Sequence, residues 1–155
     1  MRTFKFSLES LRTLRKQREN AAQQCYAQAL ALADGAARLL HLAEEELKAA
    51  HAVFLNEMAS GTVASRIVHL KTWCNVLETR RNECAASLDK ARQEANEAFR
   101  AMTVAVRERE AMDRFHDKRR NQWQRAFQAE EQKMFDELAV QRQSGGGVFE
   151  KSLLN

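Results

Sequence analysis

The sequence contains no proline and only 5 glycines in 155 residues. Three of those glycines are consecutive, at Gly145, Gly146 and Gly147. Proline removes a backbone donor and clashes with the preceding helical turn, so its absence leaves helices free to run on unbroken. Strand signals are also missing, because no stretch alternates β-branched and polar residues. Aromatic residues make up 7%, and much of the 45% hydrophobic content is alanine, which leaves little bulk for a compact globular core. The three cysteines, Cys25, Cys74 and Cys84, are an odd number without CxxC spacing. That pattern argues against a disulfide framework and suits free thiols packing as small hydrophobes in a reducing compartment. No window approaches a membrane-spanning apolar run, and Met1–Phe6 has no apolar core of a signal peptide, so neither a span nor a secretory leader is expected.

What remains is rich in Ala, Glu, Lys, Leu, Arg and Gln, with 30% charged residues. This is the composition of long helices or coiled coil, in a chain whose length suits one domain. Before the Gly-rich end, helix-forming residues give way in one place, Met58-Ala-Ser-Gly-Thr-Val-Ala-Ser-Arg66. Gly61 tolerates the positive φ that ends a helix, and Ser60, Thr62 and Ser65 are good cap residues. The expected fold is therefore all-α: a long antiparallel two-helix coiled-coil hairpin filling residues 1–142. Helix one covers about 8–58, the hinge about 59–65 and helix two about 66–141, with 143–155 as a flexible tail.

Steps of three and four trace a seam on each helix. On helix one it reads Leu8, Leu11, Arg15, Arg18, Ala22, Cys25, Ala29, Leu32, Ala36, Leu39, and then Ala43, Leu47, Ala50, Phe54, Met58. Two successive steps of four around Ala43 predict a stutter and a locally unwound supercoil. Gly35 costs about 1 kcal/mol against alanine, which long flanking helix absorbs. On helix two the seam is Ile67, Leu70, Cys74, Leu77, Arg81, Cys84, Leu88, Ala91, Ala95, Ala98, Met102, Ala105, Arg109, Met112, His116, the strongest periodicity in the chain. A turn centred on residues 61–64 sets Leu11 opposite Met112–Phe115. Helix two then overhangs by about 20 residues, or ~30 Å. Trp123, Phe127, Met134, Phe135 and Leu138 form an apolar stripe on that overhang. Two readings stay open: a partner site, or a surface that Phe4 and Phe6 or the tail fold over.

The net charge of +4 and pI of about 9.2 select no partner by themselves. The positive charge is uneven, however. Arg2, Lys5, Arg12, Arg15, Lys16 and Arg18, against Glu9 and Glu19, fall opposite Arg107, Arg109, Arg114, Lys118, Arg119, Arg120 and Arg125, so the open end of the hairpin is basic. No GxSxG, Walker A or HExxH pattern is present. Asp113-x-x-His116 is one helical metal half-site, but a carboxylate-bridged centre needs two, and His41, His51 and His69 offer no second; no metal, cofactor or catalysis is expected. Trp123 and Phe127 beside basic residues could stack bases, but Glu108, Glu110, Asp113 and Asp117 interleave, which argues against nucleic acid. The basic residues are not segregated from a broad apolar face as membrane-surface helices require.

At three points the chain resembles the FliJ family of flagellar export proteins. The opening Phe4-Lys-Phe-Ser-Leu8-Glu-Ser-Leu11-Arg-Thr-Leu14-Arg15 is similar to the family's start. Met58–Arg66 followed by Trp73 and Leu77-Glu78 is similar to its hinge region. Glu131-Gln-Lys133-Met-Phe-Asp136-Glu137-Leu138-Ala139 is similar to its C-terminal run. The resemblance covers residues 4–142 and implies a non-enzymatic component of the flagellar type III export apparatus, cytoplasmic and held at the inner membrane only through partners. It implies a stalk-like antiparallel coiled coil whose open end, here Arg12, Arg15, Arg18, Arg119, Trp123 and Phe127, docks into the hexameric export ATPase. It further implies that the start of helix two touches the cytoplasmic region of the export gate FlhA through Trp73, Leu77, Arg80 and Cys84, and that export chaperones are further partners. Arg80 and Cys84 depart from the small and imidazole side chains of the family pattern. Two alternatives remain: an injectisome stalk of the same shape, and a coiled coil that self-associates through the Trp123–Leu138 stripe.

Overall fold

The computed structural model describes residues 3–149, and side chains for residues 3–142. Among the described residues there are two helices, α1 (Glu9–Ala59) and α2 (Ala64–Phe149), and no strand. They pack together as a helical hairpin. Within residues 16–107 the antiparallel register is set by Tyr26 against Phe99, Glu46 against Arg80 and Glu57 against Arg66. Within the segment made of residues 1–15 and 108–155, Arg12 meets Asp113 and Arg15 meets Glu108. Every one of these pairs agrees with a turn centred on residues 61–64.

The hinge closes through its backbone. Gly61 adopts φ 75°, its N–H donates to the Met58 carbonyl at 3.4 Å, and the Thr62 N–H donates to the Glu57 carbonyl at 3.4 Å. This is the double bond pattern that satisfies the last carbonyls of a helix. The hydroxyls do not cap α2. Thr62 Oγ1 donates to Glu57 Oε2 at 2.5 Å and Ser60 Oγ to the Glu57 carbonyl at 3.0 Å. Arg66 adds a 2.9 Å bond to the other Glu57 oxygen. The Thr62 bond and then Arg66 hold the Glu57 carboxyl below its ordinary range. A Cβ at Gly61 would meet nothing within 4 Å, and the same holds at Gly35 inside α1, so backbone conformation alone decides both substitutions. Gly61→Ala should cost about 1–2 kcal/mol, because an L-residue there is forced left-handed. Gly35→Ala should stabilise by about 0.5–1 kcal/mol. Thermal melts that moved both variants in the same direction would contradict this account of the hinge.

The α2 seam lies where its spacing places it. Cys74 is 1% exposed, Leu77 4%, Leu88 6% and Ala95 8%, and every other seam residue from Ile67 to His116 is half-buried. On α1 the structure corrects the sequence reading by one residue. Arg12, Glu19, Tyr26, Ala33 and Leu40 are inside, whereas Arg18, Cys25, Leu32 and Leu39 are exposed. The inner row, Arg12, Arg15, Glu19, Ala22, Tyr26, Ala29, Ala33, Ala36, Leu40, Ala43, Leu47, Ala50, Phe54, Glu57, steps three and four without interruption. The predicted stutter therefore does not arise. The ambiguity is physical: α1 carries two adjacent apolar rows, and the alanine-rich one is buried because small side chains let the helices approach closely. Met58 is likewise exposed, with Glu57 turned inward to the hinge.

α2 continues through Gly145–Gly147 to Phe149, past the helix end expected at about 141. With no proline to end it, glycine alone does not stop a long helix. Residues 150–155 of the tail expected at 143–155 lie outside the described residues.

Candidate functional site

The open end is built from residues 3–15 of the first arm and the α2 segment after Glu108. Arg12 Nε donates to Asp113 Oδ1 at 2.8 Å, and Arg109 donates to Asp113 Oδ2 at 3.0 Å. Arg12 also lies 3.6 Å from Glu9, and Arg15 pairs with Glu108. The hydrogen bond from Arg12, followed by that from Arg109, holds the Asp113 carboxyl below its ordinary range. The same bond raises Arg12. Two of the arginines assigned to a docking tip are thus engaged within the hairpin, while Arg18 is exposed. Asp113 is occupied by guanidinium groups, and His116 Nδ1 faces Asp117 Oδ1 at 3.1 Å. Among the described residues no group of His, Cys, Asp or Glu is placed to hold a metal.

A depressed carboxyl contributes stability above its unfolded pKa and loses it as pH falls through the folded value. The Asp113 contribution should therefore be complete above about pH 4 and disappear below the ordinary value of 3.8. Asp113→Asn should cost on the order of 1 kcal/mol at pH 7. In thermal melts at decreasing pH the gap between wild type and Asp113→Asn should close below about pH 4; a gap of constant size would remove this pairing as a stabilising feature.

The non-helical arm lies along α2 through its aromatic side chains. Phe4 sits 6.0 Å from Trp123 and 5.7 Å from His116. Phe6 sits 5.9 Å from Phe115 and 5.0 Å from His116. Arg119 lies over the Phe115 ring at 5.3 Å, and Trp123 stacks on Phe127 at 5.3 Å. The two readings of the apolar stripe therefore divide along its length. Up to Trp123 it is covered by the arm. Beyond Phe127, Met134 is 55% exposed, Phe135 62% and Leu138 48%.

At the start of α2, Trp73 is 52% exposed. Arg80 is exposed and donates to Glu46 at 3.0 Å. Leu77 belongs to the core and Cys84 is half-buried. Of the four gate residues named from resemblance, two thus reach solvent and two support the turn that carries them. Sequence reasoning misses an exposed apolar row on α1, because the spacing places two of its members, Leu32 and Leu39, on the seam.

The glycine-capped hinge, and nearly all of the opening arm and of α2, fall within residues 4–147, the stretch matched by the profile of the flagellar FliJ protein family. The chain belongs to the FliJ family. Members of this family are non-enzymatic components associated with flagellar type III export. None of the curated proteins matches the FliJ-family chain. Among solved structures, a YscO homolog, CT670, from Chlamydia trachomatis is similar at TM-score 0.62 and 17% identity, covering 96% of this chain and 99% of that one. At that identity the likeness is one of fold. Among the described residues no helix is long and apolar enough to cross a membrane.

Proposed function

We propose that this FliJ-family chain is a stalk-like coupling and escort protein. In this reading it engages the flagellar export ATPase through its open end and the cytoplasmic region of the export gate through the start of α2. It would work at the cytoplasmic face of the inner membrane, held there by these partners, with export chaperones as further partners. The observation that carries the reading is the overhang: α2 continues past the first residue of α1, and its seam continues with it, uncovered from Met134 onward. An apolar helical stripe flanked by charge is suited to a groove or ring on another protein. In this reading Arg119, Trp123 and Phe127 precede the uncovered stripe on α2, Arg12 and Arg15 hold the first arm to α2 through their ion pairs, and Arg18 is a further contact of the ATPase. At the other site Trp73 and Arg80 are the contacting residues, and Leu77 and Cys84 hold the turn from the core side.

Co-purification of the tagged chain from its native host tests the reading. The flagellar export ATPase should come with it; recovery of an injectisome ATPase would favour the alternative stalk, and recovery of no ATPase would contradict both. Trp73→Ala should leave helicity intact and weaken binding to the purified gate region by about tenfold or more, since exposed tryptophans dominate many interfaces. Equal binding by mutant and wild type would remove Trp73 from the site.

A further inference from the structure

Outside the hairpin core, α1 carries a second heptad row, Leu32, Gly35, Leu39, Leu42, Ala49 and Val53, which is exposed except at the half-buried Gly35. Leu32 is 65% exposed, Leu39 60%, Leu42 59% and Val53 49%. These residues step three and four like a coiled-coil seam, with Glu46 as the only charged member. A helix with two such seams is built to pack on two neighbours, and only one is present in the hairpin.

We propose that this row pairs with the same row of a second copy of the chain, the two α1 helices running antiparallel about a two-fold axis between Leu39 and Leu42. This goes beyond the export reading and does not rest on it. The argument for a second copy is self-complementarity. About that axis Leu39 of each copy meets Leu42 of the other, and Leu32 meets Ala49. Glu46, whose carboxylate is already held by Arg80 at 3.0 Å, falls opposite Gly35, where a β-carbon is absent and no neighbour lies within 4 Å of its place. On the flank, Arg38 of each copy falls opposite Glu45 of the other. Arg38 is exposed and has no ion pair among the described residues, and Glu45 has only Lys48 at 4.0 Å. Each contact occurs twice, as an isologous interface requires. A parallel in-register pairing would instead set Glu46 on Glu46 in the seam, which is repulsive, and would leave Arg38 and Glu45 facing Ala43 and Ala50.

Sedimentation equilibrium of the full chain over a wide concentration range tests the proposal. The expected result is a reversible monomer–dimer equilibrium. Leu39→Lys with Leu42→Lys should make the chain monomeric at every concentration with unchanged circular dichroism, because both side chains are exposed in the hairpin. Arg38→Glu should weaken the dimer by about tenfold, two flank pairs being lost at once. Adding Glu45→Arg to Arg38→Glu should restore it. A wild-type chain that stays monomeric throughout would overturn the proposal. So would a dimer indifferent to Leu39→Lys with Leu42→Lys, or a charge swap that fails to rescue.

Discussion

Replacing Met134, Phe135 and Leu138 together by serine should reduce affinity for the export ATPase by more than about a hundredfold, with little change in the thermal midpoint. Buried interface anchors each cost about 2 kcal/mol or more on truncation, and tenfold in affinity corresponds to about 1.4 kcal/mol. Two anchors among the three therefore suffice for the expected loss. Stability should hold because all three side chains are exposed, Leu138 the least at 48%. The serines lower helix propensity by only a few tenths of a kcal/mol each, about 0.5 per site, in a segment of α2 that α1 does not reach. Isothermal titration against the purified ATPase, with circular dichroism on the same samples, separates the outcomes. Undiminished binding would show that the exposed stripe is not the docking surface. A fall in midpoint as large as that of a core mutation would show that the overhang is packed in solution.

The second large effect lies in the core. Leu77→Ala should destabilise the hairpin by about 2–4 kcal/mol, the usual cost of removing a buried leucine side chain. At about 2–4 °C per kcal/mol for chains of this size, the midpoint should fall on the order of 10 °C. Leu77 is 4% exposed and sits one turn from Cys74, the most buried side chain among the described residues at 1%. The seam there is a single row deep, so no second layer can collapse into the gap. The informative contrast, measured at concentrations where the chain is monomeric, is Leu39→Ala, which should change stability by less than about 0.5 kcal/mol as an exposed substitution. Leu40→Ala, one residue on, should cost several times more. A large loss at Leu39 and none at Leu40 would restore the seam as first read from the sequence and contradict the structure's phase on α1.

That contrast marks where the sequence was legible. The hairpin, its turn at Gly61 and the α2 seam are all readable, because helix two carries one apolar row and one only. Helix one carries two, and leucine is the stronger signal of burial by eye. Ala22, Ala29 and Ala36 of the seam expected from the sequence do face α2, but between them the buried positions are Glu19, Tyr26, Ala33 and Leu40 rather than Arg18, Cys25, Leu32 and Leu39. The charged tip was equally half-legible. The spacing brings Arg12 and Arg15 to the facing helix, but whether they point to solvent or to Asp113 and Glu108 depends on side-chain geometry that periodicity does not carry. The covering of Trp123 by Phe4 depends on a non-helical arm, for which no periodicity exists. Three glycines resemble a stop, yet α2 is helical through them to Phe149.

The central claim is that the uncovered end of α2 meets the export ATPase while the hinge-proximal start of α2 meets the gate. A photo-crosslinking residue placed at Phe135, and separately at Trp73, tests it most directly in cells assembling flagella. The account predicts an adduct with the ATPase from position 135 and with the gate from position 73. Adducts exchanged between the two positions, or position 135 linking only to a second copy of this chain, would contradict it.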